Sequence, residues 1–188
     1  PKTVEIAAGI IKDYFRQNPD ANSYGFAPED VYPRDYTPEA VALNTGFPGT
    51  REGRPGVPAE VSISEEWFNF VNNVTREVRK EFPDVYIATN GYKNRDIPPQ
   101  GLQLDDHLVV MFAPIWSCAL HAYDDKHCWK RTREGQMLER WGRMCPNVWV
   151  YGYLEQMLAS ALTPLPEVHK LRHDFPLLRK WGVIGFND

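Results

Sequence analysis

Two acidic positions each follow a run of strand-forming residues: the Glu29–Asp30 pair in "SYGFAPED", and Glu155 in "VWVYGYLEQ". Two carboxyl groups facing one cleft can cleave a glycosidic bond, one protonating the leaving oxygen while the other stabilises or attacks the sugar cation. On that reading Asp30 or Glu29 is the general acid, held protonated by an apolar wall of Phe26 and Tyr24, and Glu155 is the nucleophile or electrostatic stabiliser. Polar and aromatic residues recur at the other strand ends: Asn90 and Tyr92, Trp116 and His121, Tyr153, and Asp188. Rings that stack on sugar faces, combined with amide, imidazole and carboxyl groups that read hydroxyls, make these the expected substrate-binding residues.

The segment "CALHAYDDKHC" holds the metal-capable residues His121, Asp124, Asp125 and His127. Their spacing matches no recognised zinc pattern, and neither does that of Cys118, Cys128 and Cys145. The expectation is therefore a site with no metal, with His121 hydrogen-bonding a hydroxyl or positioning a carboxylate. An odd cysteine count excludes a complete disulfide framework but leaves room for one Cys118–Cys128 bridge. Neither a GxGxxG nor a GK[ST] phosphate-binding signature occurs, so no nucleotide cofactor is expected.

Composition narrows the partner. With 188 residues, 43% hydrophobic and 24% charged, the chain is long enough for one domain with a sizeable core. A formal net charge of −4 with no run of Lys or Arg argues against nucleic acid and anionic membranes, whose binding relies on clustered basic side chains. No apolar run approaches the ~20 residues of a membrane span. A small or neutral ligand fits better, and an aromatic content of 13% suits a carbohydrate.

The elements that must position these residues are legible in the periodicity. Apolar residues at Val4, Ala7, Ala8, Ile11, Tyr14 and Phe15 predict an amphipathic helix ending before Pro19. Ser62 and Glu65 form a capping-box pattern ahead of a second helix with Trp67, Val71, Val74, Val78 and Phe82 inward. A third is expected over about Thr132–Gly142. A fourth starts near Pro166, with Val168, Leu171, Phe175 and Leu178 inward, a kink at Pro176 and a stop at Gly182. Strands are expected in "SYGFAPED", "DVYIATNGY", "HLVVMFAPIW", "NVWVYGYLEQ" and "RKWGVIGFND". Residues 31–61, rich in Pro and Gly, read as a long irregular loop of the kind that serves as a lid or binding loop. Strands alternating with helices imply an α/β domain spanning residues 1–188, with a parallel sheet joined by right-handed crossovers. Such sheets bind ligands beyond the carboxyl ends of their strands, where the residues above collect.

Several longer stretches carry a resemblance: "NPDANSYGFAPED", "WFNFVNNVTREVRKEFPDVYIATNGY", "PPQGLQLDDHLVVMFAPIWSCALHAYDD", "YGYLEQMLASALTPLPEVHKL" and "WGVIGFND". Within them, Cys118 with His121, the Asp124–Asp125 pair, the "PLP" prolines and the closing "GVIGF" are the most specific. The chain resembles a bacterial domain of unknown function found in large secreted or surface proteins, often behind an α-glucuronidase-like amino-terminal domain and similar to glycoside hydrolase barrels. That resemblance implies a (β/α)8 TIM-type barrel of which this chain is the C-terminal portion, about strands 4–8, with the rest of the barrel on the same parent chain as partner. It also implies a secreted, periplasmic or cell-surface location and a carbohydrate substrate. Glu29 or Asp30 would then end strand four and Glu155 strand seven, the two positions that carry the acid/base and the nucleophile in a large group of retaining glycosidases. A barrel kept for carbohydrate binding or scaffolding, without hydrolysis, is the alternative.

Overall fold

Every expected strand forms, and all five join one sheet. The structure is a computed structural model that describes residues 2–29, 35–44, 62–115, 117–153 and 167–187. Its strands are β1 (Ser23–Gly25), β2 (Tyr86–Tyr92), β3 (Leu108–Ala113), β4 (Val148–Tyr151) and β5 (Val183–Asn187). They lie in the order β1-β2-β3-β4-β5, each parallel to its neighbour. Because the order never reverses, right-handed crossovers carry every connecting helix to the same face of the sheet.

The helices are α1 (Lys2–Gln17), α2 (Pro38–Leu43), α3 (Ser64–Arg79), α4 (Trp129–Met144) and α5 (Val168–Lys180), with a short 3-10 turn at Lys93–Arg95. Val4, Ala8, Ile11 and Phe15 of α1 and Phe68, Val71, Val74 and Val78 of α3 are buried, the i, i+3, i+4 spacing of a core-facing stripe. Trp141 joins α3 to α4: its ring centroid lies 4.8 Å from that of Phe68, and its Nε1–H donates to the Asp96 carbonyl at 2.7 Å. Under the helices lies the sheet face formed by Ile87 and Leu108, then Thr89, Val110 and Val148, then Gly91, Phe112 and Val150.

Local details depart from the sequence pattern in four places. Ser62 and Glu65 form no capping box. The Ser62 hydroxyl accepts from the Ser64 N–H two residues on, and the Glu65 carboxylate reaches across to the Gln100 N–H, so a tertiary partner outcompetes the local one. Within the expected loop 31–61, Pro38–Leu43 is helical, started by Pro38 and by the Thr37 hydroxyl accepting from Ala40 N–H. The face of α5 is rotated: Val168 and Phe175 are exposed, while Asp174 and Leu178 are buried. Asp174 turns inward because a buried arginine needs its charge. Finally, β4 ends at Tyr151, four residues short of Glu155.

Candidate functional site

The second face of the sheet changes character along the strand direction. Side chains alternate across a strand, so the residues not facing the helices form layers on the opposite side. Ala88 and Val109 make the first layer, Asn90, Met111, Trp149 and Gly185 the second, and Tyr92, Ala113, Tyr151 and Asn187 the third. Aliphatic groups at the amino end give way to phenols and amides at the carboxyl end. A bulge at Ile184 sets the register that brings Gly185 beside Trp149; a Cβ at Gly185 would fall inside the indole. Tyr153, just beyond β4, packs edge-on against Tyr151 with centroids 5.2 Å apart. Asn90 Oδ1 accepts from Arg95 Nε at 2.8 Å, which draws the 3-10 turn back over β2.

Behind the carboxyl end of β3 lies a buried ionic network. The Arg131 guanidinium donates to Asp174 Oδ2 at 2.8 Å and to Glu134 Oε2 at 3.2 Å, and it also donates to the Ser117 hydroxyl. Ser117 in turn donates to Glu134 Oε2 at 2.7 Å. The Tyr123 ring lies 3.5 Å from the guanidinium, a cation–π contact in a dry setting. Burial pushes the Glu134 carboxyl up from its usual range, against the opposing pull of Arg131 and Ser117. Burial also drives the Tyr123 phenol upward, so that it stays neutral. The cleft above this network is bordered by Ser117, Tyr153, Lys170 and Phe186. Its cation is matched by two carboxylates, so the network anchors the β3–α4 loop rather than supplying a free charge.

That loop brings together a set of residues that sequence spacing did not single out. Cys118, His121 and Cys128 place one sulfur, one ring nitrogen and one sulfur within 4.8 Å of one another. Cys118 Sγ lies 3.1 Å from His121 Nδ1. Burial raises the Cys118 thiol, but hydrogen bonds from His121, from the Leu120 and His121 backbone and from Cys128 outweigh it and bring the thiol down to about 7. Cys118 and Cys128 are free thiols, so the bridge allowed by their count does not form. Asp124 and His127, members of the expected metal-capable group, lie elsewhere: Asp124 meets His173 Nε2 at 2.7 Å, and the His127 N–H donates to Asp125.

The other expected site residues divide into four groups. Asn90 and Tyr92 share the face of β2 turned away from the helices, and Tyr153 follows just beyond the end of β4. His121 faces the cysteines, in the loop after β3. Glu29 is exposed, and the two rings expected to wall it turn to the helices, Phe26 against Trp67 and Phe70, Tyr24 against Tyr14. Asp30, Trp116, Glu155 and Asp188 lie outside the described residues. Near the amino end of β3, Arg79 on α3 clamps Asp105 at 2.6 Å and Asp106 at 2.7 Å.

The matched family extends over the whole chain: the domain of unknown function DUF4838 matches residues 1–188. This chain belongs to the DUF4838 family. No curated protein and no solved structure matches it. In this DUF4838 chain no described helix is long and apolar enough to cross a membrane.

Proposed function

We propose that this DUF4838 chain is the carboxyl half of a (β/α)8 barrel and acts as a glycoside hydrolase-type domain on a polysaccharide or oligosaccharide. The observation that carries this reading is the layered inner face of the sheet, aliphatic at one end and lined by Asn90, Tyr92, Tyr151 and Asn187 at the other. Barrels of this kind fill their interior in such layers and place the site at the carboxyl end. A strand order that never reverses is the singly wound pattern a barrel needs, whereas doubly wound folds reverse at a switch point. The outward apolar residues Ile6, Ile10 and Tyr14 of α1 give the array a second side on which preceding helices would pack.

In this proposal Asp30 or Glu29 protonates the glycosidic oxygen and Glu155 meets the positive charge that develops on the sugar. Asn90, Tyr92, Trp116, His121, Tyr153 and Asp188 bind the sugar hydroxyls and faces. The parent protein acts outside the cytoplasm, where polysaccharide is met. A specific observation favours a second reading, carbohydrate binding without hydrolysis: among the described residues at the carboxyl end, Glu134 is committed to Arg131 and Glu29 is exposed.

Release of reducing ends from a panel of polysaccharides, measured for the parent protein and for Asp30→Asn, Glu29→Gln and Glu155→Gln, tests the assignment. Losses of about 10²-fold or more with folding intact are expected at the acid and at Glu155. Unchanged turnover in all three would sink the catalytic roles. Glycan binding with no released ends, weakened by Tyr153→Ala, would establish the second reading instead.

A further inference from the structure

Cys118 and Cys128 do nothing in the proposed sugar chemistry, and together with His121 they point three good ligand atoms at one spot. Two thiols and an imidazole within 4.8 Å of one another supply the donor types, and approach the spacing, that a tetrahedral zinc ion requires. Zn–S bonds of about 2.3 Å and Zn–N bonds of about 2.0–2.1 Å put ligand atoms roughly 3.5–3.8 Å apart around one ion. The 3.1 Å between Cys118 Sγ and His121 Nδ1 needs only a few tenths of an ångström of opening.

The backbone at or beside each donor is held by bonds that do not involve the other two. Cys128 sits at the start of α4, its N–H donating to the Asp125 carbonyl at 3.0 Å and its own carbonyl accepting from Thr132 at 3.0 Å. The His121 carbonyl accepts from Arg131 Nε at 2.9 Å, so the buried ionic network also fixes the backbone of this ligand. Cys118 follows a turn closed by Ser117 N–H on the Pro114 carbonyl at 2.9 Å. The imidazole turns Nδ1 to the cysteines and Nε2 toward Asp125, whose Oδ2 at 4.0 Å is a charge neighbour beyond hydrogen-bond distance.

We propose that Cys118, His121 and Cys128 form a Cys2His site for a thiophilic divalent cation of the zinc class, clasping the β3–α4 loop. Two thiolates neutralise the ion, and three protein donors leave the fourth position to water or an exogenous ligand. The site shares only His121 with the carbohydrate reading, does not depend on it, and survives its failure.

Cobalt(II) titration of the purified, reduced chain tests it, because thiolate coordination gives an intense sulfur-to-metal absorption band. One equivalent per chain should produce the band, and zinc should bleach it. Cys118→Ser, Cys128→Ser and His121→Ala should each weaken binding by about tenfold or more, while Cys145→Ser should leave it unchanged. Where a ligand variant fails to fold, alkylation of the wild-type chain gives the answer: zinc should protect Cys118 and Cys128 together from the reagent. The proposal is overturned by absence of the band in the wild-type chain, by its persistence in folded Cys118→Ser, by alkylation indifferent to zinc, or by a Cys118–Cys128 disulfide that persists under reductant.

Discussion

Glu134 shows how one buried group records the environment of the site. Its side chain is 10% exposed, and desolvation outweighs the help it receives from Arg131 and Ser117, so its carboxyl titrates above the usual range. Between its unfolded and folded values the folded chain holds the extra proton, and linkage makes stability fall as pH rises through that window. The Glu134 contribution is therefore full below the ordinary glutamate range and lost as pH passes the raised folded value. Comparing wild type with Glu134→Gln by urea denaturation from pH 4 to 8 isolates it from the other carboxylates. The stability difference, variant minus wild type, should grow with pH by at most about 1.4 kcal/mol per unit, then level off; a flat or falling difference would contradict the account. Residue types alone pointed to Asn90, Tyr92 and Tyr153 because strand ends locate them. Nothing in the sequence pairs Arg131 with Asp174, since 43 residues separate them and their bond is made by the fold alone. The Cys118–His121–Cys128 cluster was hidden for a related reason: a looped connection, not a spacing rule, brings Cys128 back to Cys118.

At the scale of elements, the sequence pattern located the five strands and four of the five helices among the described residues, because buried parallel strands are short apolar runs and the long helices carry a 3.6-residue stripe. It placed ends less well, and it misjudged the face of α5 because an inward aspartate looks like a polar residue. One contact between elements explains a glycine the pattern could not. Gly142 on α4 presses its backbone against the turn from α5 into β5, so a Cβ there would overlap the Trp181 carbonyl, and Gly182 faces it with a φ of +84°. Helix propensity alone would make Gly142→Ala stabilising by about 1 kcal/mol. The backbone clash opposes this and wins, because neither the carbonyl nor the helix can move without shifting β5. Gly142→Ala should destabilise by about 1–3 kcal/mol, read as a lowered denaturation midpoint at unchanged m-value. A stability gain would mean that the α4–β5 contact is looser than described.

For the whole molecule, the sheet poses a problem that its helices do not solve. They cover one face; the other presents Val109 and Met111, half-buried, and Trp149, exposed, and among the described residues β1 and β5 each pair on one side only. An unpaired parallel edge beside an apolar face invites pairing with another chain, and proteins ordinarily cover or close such edges. If a barrel's remaining strands complete this sheet, they cover Trp149 and both edges in a single step, and the outward stripe of Ile6, Ile10 and Tyr14 on α1 gains a neighbouring helix. The isolated 188-residue chain should then associate in a concentration-dependent way and bind a dye that reports exposed apolar surface. A longer polypeptide that adds the preceding βα units should be monomeric and bind much less. Light scattering coupled to size exclusion distinguishes the two, and Trp149 fluorescence, although read against five other tryptophans, should shift to the blue in the longer form. A monomeric isolated chain with no dye binding would mean that its inner face is already covered, and the half-barrel proposal would fall with it.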